Sequence, residues 1–97
     1  MSRSAHKYLK RAKAVIRIEA KAIEQLIPRV GKAFLRAVDM VAECKGRVVV
    51  TGMGKAGIIA QKLSSTLAST GTPSLWMHPA EAIHGDLGRV TKEDVVI

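Results

Sequence analysis

Lys55 lies inside Gly52-Met53-Gly54-Lys55-Ala56-Gly57, where three glycines follow the G-x-G-x-x-G spacing. Glycines so spaced between a strand and a helix let the backbone approach a ligand closely, and they leave a helix amino terminus free to face an anion. A lysine in that first turn is electrostatically out of place, because the helix macrodipole is positive there. Its position makes sense if an anion or a developing oxyanion shares the site, where an amine could donate a proton or stabilise charge. A solvated surface lysine is the other reading that the spacing leaves open. The turn is not a Walker A loop, since one residue separates Gly52 from Gly54 and no Ser or Thr follows Lys55. Dinucleotide binding also fits poorly. About 20 residues on, a carboxylate should meet the ribose, but the chain there reads Met77-His78.

A second cluster follows at once. His78-Pro79-Ala80-Glu81-Ala82-Ile83-His84-Gly85-Asp86-Leu87-Gly88 brings two histidines, a glutamate and an aspartate into one short segment. Such groups serve as acid/base pairs or as metal ligands. His78 and His84 are six positions apart, which matches no short zinc spacing, so a metal site is weakly supported. Asp86 between two glycines is equally suited to bracing a turn. From the residues alone, functional and structural roles for this segment stand even.

The elements that must hold these groups change character near Gly46. Before it, Leu9, Ala12, Val15, Ile16, Ile23, Leu26 and Ile27, then Val30, Phe34, Val38 and Val41, recur at helical spacing. Pro28 interrupts them, so the pattern predicts helices over 3–26 and 28–44, with Gly46 as a left-handed cap. After Gly46, Arg47-Val48-Val49-Val50-Thr51 reads as a strand buried on both faces. A helix over 55–69 follows, with Ile58, Ile59, Leu63 and Leu67 on one side, broken by Gly71-Thr72-Pro73. Ser74-Leu75-Trp76-Met77 is a second strand, residues 78–88 a loop, and Asp94-Val95-Val96-Ile97 the start of a third strand. Strand, helix, strand, loop, strand is the order of a parallel α/β sheet, here expected to be incomplete. The division expected is 1–46, a helical extension, and 47–97, a partial α/β domain.

Composition removes several function classes. The 97 residues carry a formal charge of +8, all of it in residues 1–47, with 12 Lys/Arg against 4 Asp/Glu; residues 48–97 balance 4 against 4. Tyr8, Phe34 and Trp76 are the only aromatics, too few to stack bases, and no recognition-helix context is evident. A solvated basic helix face is preferred to nucleic-acid binding. The single Cys44 supports neither a disulfide framework nor a thiolate cluster. No apolar run reaches the roughly 18 residues of a membrane span, and no signal peptide is visible, so a cytoplasmic protein is expected. A long amphipathic helix in so short a chain points to pairing with a second copy, hence a homo-oligomer through the N-terminal helices.

Three blocks in order, residues 48–57, 67–73 and 78–88, resemble the SIS domain of arabinose 5-phosphate isomerases of the KpsF/GutQ type. The two leading helices are similar to that family's amino-terminal extension, and Ala56 stands where many relatives carry Ser. The resemblance implies a three-layer, Rossmann-like SIS sheet and interconversion of D-arabinose 5-phosphate and D-ribulose 5-phosphate through an enediol(ate), on the route to the Kdo sugar of lipopolysaccharide. It implies Lys55 as the catalytic lysine, Gly71, Thr72 and His84 at the sugar, and His78 at a position associated with zinc. No cofactor is implied as required, and zinc at His78 is expected to inhibit. The family's next elements, a Ser/Thr-Gly phosphate loop, catalytic carboxylates and another histidine, lie beyond Ile97, so an inactive fragment is expected. The alternative is a non-catalytic SIS module that binds a phosphosugar as a regulator.

Overall fold

The computed structural model describes residues 2–97. Helix α1 spans Arg3–Glu24 and is capped by Ser2, whose Oγ accepts the Ala5 amide at 3.1 Å. A 3-10 turn at Ile27–Arg29 precedes helix α2, Lys32–Ala42. Strand β1 is Val48–Thr51, helix α3 Gly54–Ser69 and strand β2 Ser74–Met77. A short helix α4, Pro79–Ile83, a 3-10 turn at Asp86–Arg89 and strand β3, Val95–Val96, complete the order. Two compact units divide between Leu35 and Arg36. That boundary falls within α2, whose later residue Val41, with Cys44 after it, packs against the core of the α/β unit.

Pro28 acts differently from the expectation. It opens the 3-10 turn, closed by Arg29 N donating to Leu26 O at 2.9 Å, and α2 begins only at Lys32, after Val30 has become extended. Gly46 is not a left-handed cap either, since positive φ occurs at Gly54, Gly71 and Gly85. Its amide donates to Glu93 O at 3.1 Å, and the Glu93 backbone and the Asp94 carboxylate lie so close that no Cβ would fit. In α1, the apolar residues Tyr8, Ile16 and Ile23 are 70%, 66% and 67% exposed. The expected amphipathic face is therefore uncovered.

The sheet is wholly parallel in the order β2-β1-β3. Val48 pairs with Ser74 and Thr51 with Met77, while Val48 and Val49 pair with Val95 and Val96. Val48, Val49 and Val50 are 0–2% exposed, as a central strand covered on both faces requires. Helix α3 packs on β1 and β2, with Gly57, Ala60 and Ser64 buried and Leu67 beside them. Ile58 and Ile59 face away from the sheet and are exposed. The helical spacing is as expected, and close approach at Gly57 selects small residues for the face against the sheet, with Leu67 the larger side chain that joins them.

That inner face carries one buried polar chain. Ser74 Oγ donates to Val48 O at 2.6 Å, so Ser64, whose Oγ lies 2.8 Å from Ser74 Oγ, must be the donor between the two hydroxyls. The two alanine variants should then differ. Ser74→Ala strands the buried Ser64 hydroxyl and should cost about 1–3 kcal/mol, whereas Ser64→Ala leaves the Ser74 bond intact and should cost about 1 kcal/mol or less. Urea unfolding midpoints of the two variants check the asymmetry.

Candidate functional site

The strand order reverses at β1: the chain moves through α3 to β2 on one side and returns to β3 on the other. In open parallel sheets, ligands bind outside the carboxyl ends of the strands at such a switch point. The glycine-rich turn leaves β1 at this edge. Gly54 takes φ +58, a left-handed conformation that favours glycine, and α3 begins there. Gly57 lies on the inner face. A Cβ on it would stand 2.6 Å from Gly52 O and 3.1 Å from the Trp76 ring. Lys55 is exposed in the first turn of α3, at the positive end of the macrodipole.

His78 leaves β2 at the same edge, since Met77 pairs with Thr51. Its Nδ1 accepts the Ala80 amide at 3.0 Å and so caps α4, which places the ring proton of the neutral imidazole on Nε2. The Trp76 ring meets it edge-on, with centroids 6.1 Å apart. His84 caps the other end of α4 and is exposed, its amide donating to Ala80 O at 3.2 Å. Asp86 faces Arg89 at 3.8 Å on the surface, a contact that braces the turn and adds little stability.

Gly71 and Thr72 do not join this group. They close the connection from α3 into β2, where Thr72 N donates to Leu67 O at 2.9 Å and Pro73 O accepts Val48 N at 2.9 Å. That is the amino edge of the sheet, separated from Lys55 by the length of the strands, roughly 13 Å. Nor does His78 have the partners of a complete zinc site. Among the described residues no three His, Cys, Asp or Glu side chains come together, and His78 Nδ1 is already occupied. A groove lined by Lys7, Tyr8, Lys10, Arg11 and Ala14 of α1 includes none of the carboxyl-edge residues.

Two anchors at the sheet had no sequence signal strong enough to find them. Asp94 Oδ1 accepts the Arg47 amide at 2.7 Å and Oδ2 accepts the Thr91 amide at 2.8 Å. The amide of Arg47, then that of Thr91, holds the Asp94 carboxyl below its ordinary range. A depressed carboxylate adds stability that is present above the unfolded value near about 4 and is lost as pH falls through the lower folded value. Asp94→Asn should therefore unfold at lower urea concentration at pH 7, and the difference from the parent should narrow on acidification. A difference independent of pH would contradict this role. The second anchor is Thr51, whose Oγ1 donates to Met77 O at 2.5 Å.

A parallel α/β sheet with its candidate lysine and histidines at the carboxyl edge is the class that fold and site define. More specifically, the SIS domain matches residues 40–97, and the chain belongs to that family. It is 49% identical over 90 residues to the arabinose 5-phosphate isomerase KdsD of Pseudomonas aeruginosa, covering 93% of this chain and 28% of that protein. It is 44% identical over 89 residues to the arabinose 5-phosphate isomerase GutQ of Escherichia coli K12, covering 92% and 28% respectively. The chain thus spans under a third of the length of these curated relatives. Among solved structures, it is similar to E. coli CFT073 c3406 in complex with A5P, at TM-score 0.84 and 45% identity over 99% of this chain and 50% of that one. The chain is also similar to a putative sugar-phosphate isomerase from Listeria monocytogenes, at TM-score 0.85 and 35% identity, with the same coverage.

Proposed function

We propose that this chain forms part of a sugar-phosphate isomerase that interconverts D-arabinose 5-phosphate and D-ribulose 5-phosphate. The observation that carries the reading is Lys55 at the switch point of the sheet, one strand away from the His78–His84 segment, in a chain 44–49% identical to named isomerases of that substrate. Aldose–ketose isomerisation moves a proton between adjacent carbons, with a second proton moving between their oxygens. Lys55, at the positive helix terminus, suits stabilisation of the enediolate oxygen or proton donation to it. His84 is the residue proposed to contact the sugar, and His78 Nε2 is a single donor at the same edge. No metal is needed for these steps. A zinc ion on His78 would need at least two further ligands from elsewhere and would compete with substrate for the edge.

Contact of Gly71 and Thr72 with the same sugar requires another copy to present its amino edge to the first copy's carboxyl edge. The uncovered face of α1, carrying Tyr8, Ile16 and Ile23, supports a homo-oligomer through the N-terminal helices. No helix among the described residues is long and apolar enough to cross a membrane.

A phosphate dianion needs several convergent donors, and the carboxyl edge offers one lysine and two exposed histidines. The 97-residue chain by itself should therefore bind arabinose 5-phosphate weakly and turn none of it over. Trp76 emission during titration reports binding, and a coupled ribulose 5-phosphate assay reports turnover. Turnover above a Lys55→Ala control would contradict the expectation. Binding that is insensitive to Lys55→Ala would favour a regulatory module over an isomerase.

A further inference from the structure

We propose that Thr51 is a positioning residue for the phosphosugar edge, fixing the Lys55 turn against the His78 segment through the carbonyl of Met77. The proposal rests on the phosphosugar reading above for its ligand, and on the sheet alone for its geometry. Along β1, Val48 N donates to Pro73 O of the β2 side, and the register runs in step as far as Thr51 and Met77. Continued by two residues at a time, the ladder would bring the Gly52 amide to Met77 O. The chain instead bends away into the glycine-rich turn, and Thr51 Oγ1 takes that carbonyl at 2.5 Å. At the same level the Thr51 amide donates to Ile97 O at 2.9 Å. One residue therefore ties β1 to both neighbours at the carboxyl edge, by its side chain on one side and its backbone on the other.

The placement matters because Thr51 immediately precedes Gly52 and Met77 immediately precedes His78. The hydroxyl joins the two points at which the functional segments leave the sheet. Valine keeps the β-branched shape and strand preference of threonine but cannot donate, so Thr51→Val removes the bond with little change in packing. Serine keeps the donor and loses only the methyl. A residue that merely stabilised the strand would respond to loss of the methyl as well, and its loss would not change ligand affinity in the chain that remains folded.

The test compares the 97-residue chain with its Thr51→Val and Thr51→Ser variants, and with Thr51→Ala as a second variant lacking the bond should valine fail to fold. Arabinose 5-phosphate is titrated while Trp76 emission is read, with folding confirmed by circular dichroism. Loss of one hydrogen bond that positions the site should weaken binding about fivefold in Thr51→Val, with Thr51→Ser within about twofold of the parent. Parent-like affinity in Thr51→Val overturns the proposal. If the parent itself shows no response, the phosphosugar reading fails, and Thr51 is judged from the amide spectrum of the labelled chain. Thr51→Val should then move amides throughout Gly52–Ala56 and His78–Ala82, with Thr51→Ser restoring them. Shifts confined to residues 51, 52 and 77 overturn the positioning role.

Discussion

Gly57→Ala should destabilise the α/β unit by about 1–3 kcal/mol, and Gly57→Val should leave it unfolded. The sign is the informative part. In an ordinary helix interior, replacing glycine with alanine stabilises by roughly 1 kcal/mol, because the unfolded chain loses freedom and the helix gains propensity. At Gly57 the new Cβ would stand 2.6 Å from Gly52 O, a backbone atom at the start of the turn, and 3.1 Å from the ring of Trp76. Neither neighbour is the loose end of a flexible side chain. Relieving the contact must lift α3 from β1 or displace the glycine-rich turn, and domains as a rule hold only about 5–15 kcal/mol in total. Thermal or urea denaturation of Gly57→Ala measures the effect. A midpoint at or above the parent's would show that the helix does not lie as close to the sheet as described.

Lys55→Ala should lower kcat a hundred- to ten-thousand-fold, the range expected when a positioned acid/base or charge-stabilising group is removed. Turnover needs a complete active site, so the substitution is best made after this chain's residues replace the matching 90-residue segment of the Pseudomonas aeruginosa isomerase, with which they share 49% identity. The chimera should isomerise arabinose 5-phosphate. Its Lys55→Ala form should lose kcat while KM changes far less, because the lysine acts on charge that develops in the transition state. A comparable rise in KM with kcat preserved would make Lys55 a phosphate anchor rather than a chemical group.

How far the sequence foretold this arrangement depended on whether each signal was local. Val48-Val49-Val50 announced a central strand, because a β-branched run between a glycine and a glycine-rich turn has few other uses, and the residues are buried on both faces. The switch-point position of Lys55 follows from that strand and its turn. The inner face of α3 is not legible in the sequence, since periodicity fixes spacing and says nothing of which side meets the sheet. Close packing at Gly57 then gave the inner side to Ala60 and Ser64 and turned Ile58 and Ile59 outward. The place of Gly46 after a helix suggests a cap, whereas the glycine is needed for the close passage of Glu93 and Asp94, distant in sequence. Asp94 itself accepts an amide 47 residues away, which no local pattern announces. The edge to which Gly71 and Thr72 belong also became clear only with the parallel register of β1 and β2.

On the proposed reading, a sugar phosphate is met at the carboxyl edge of this sheet, by the Lys55 turn and the His78–His84 segment. The most direct measurement is an amide-resolved titration of the isotope-labelled chain with arabinose 5-phosphate, set against inorganic phosphate at the same ionic strength. Shifts should cluster at residues 52–56 and 78–84, exceed those caused by phosphate alone and shrink in Lys55→Ala. Shifts centred on the basic residues Lys7, Lys10 and Arg11 of α1, equal for both ligands, would contradict it.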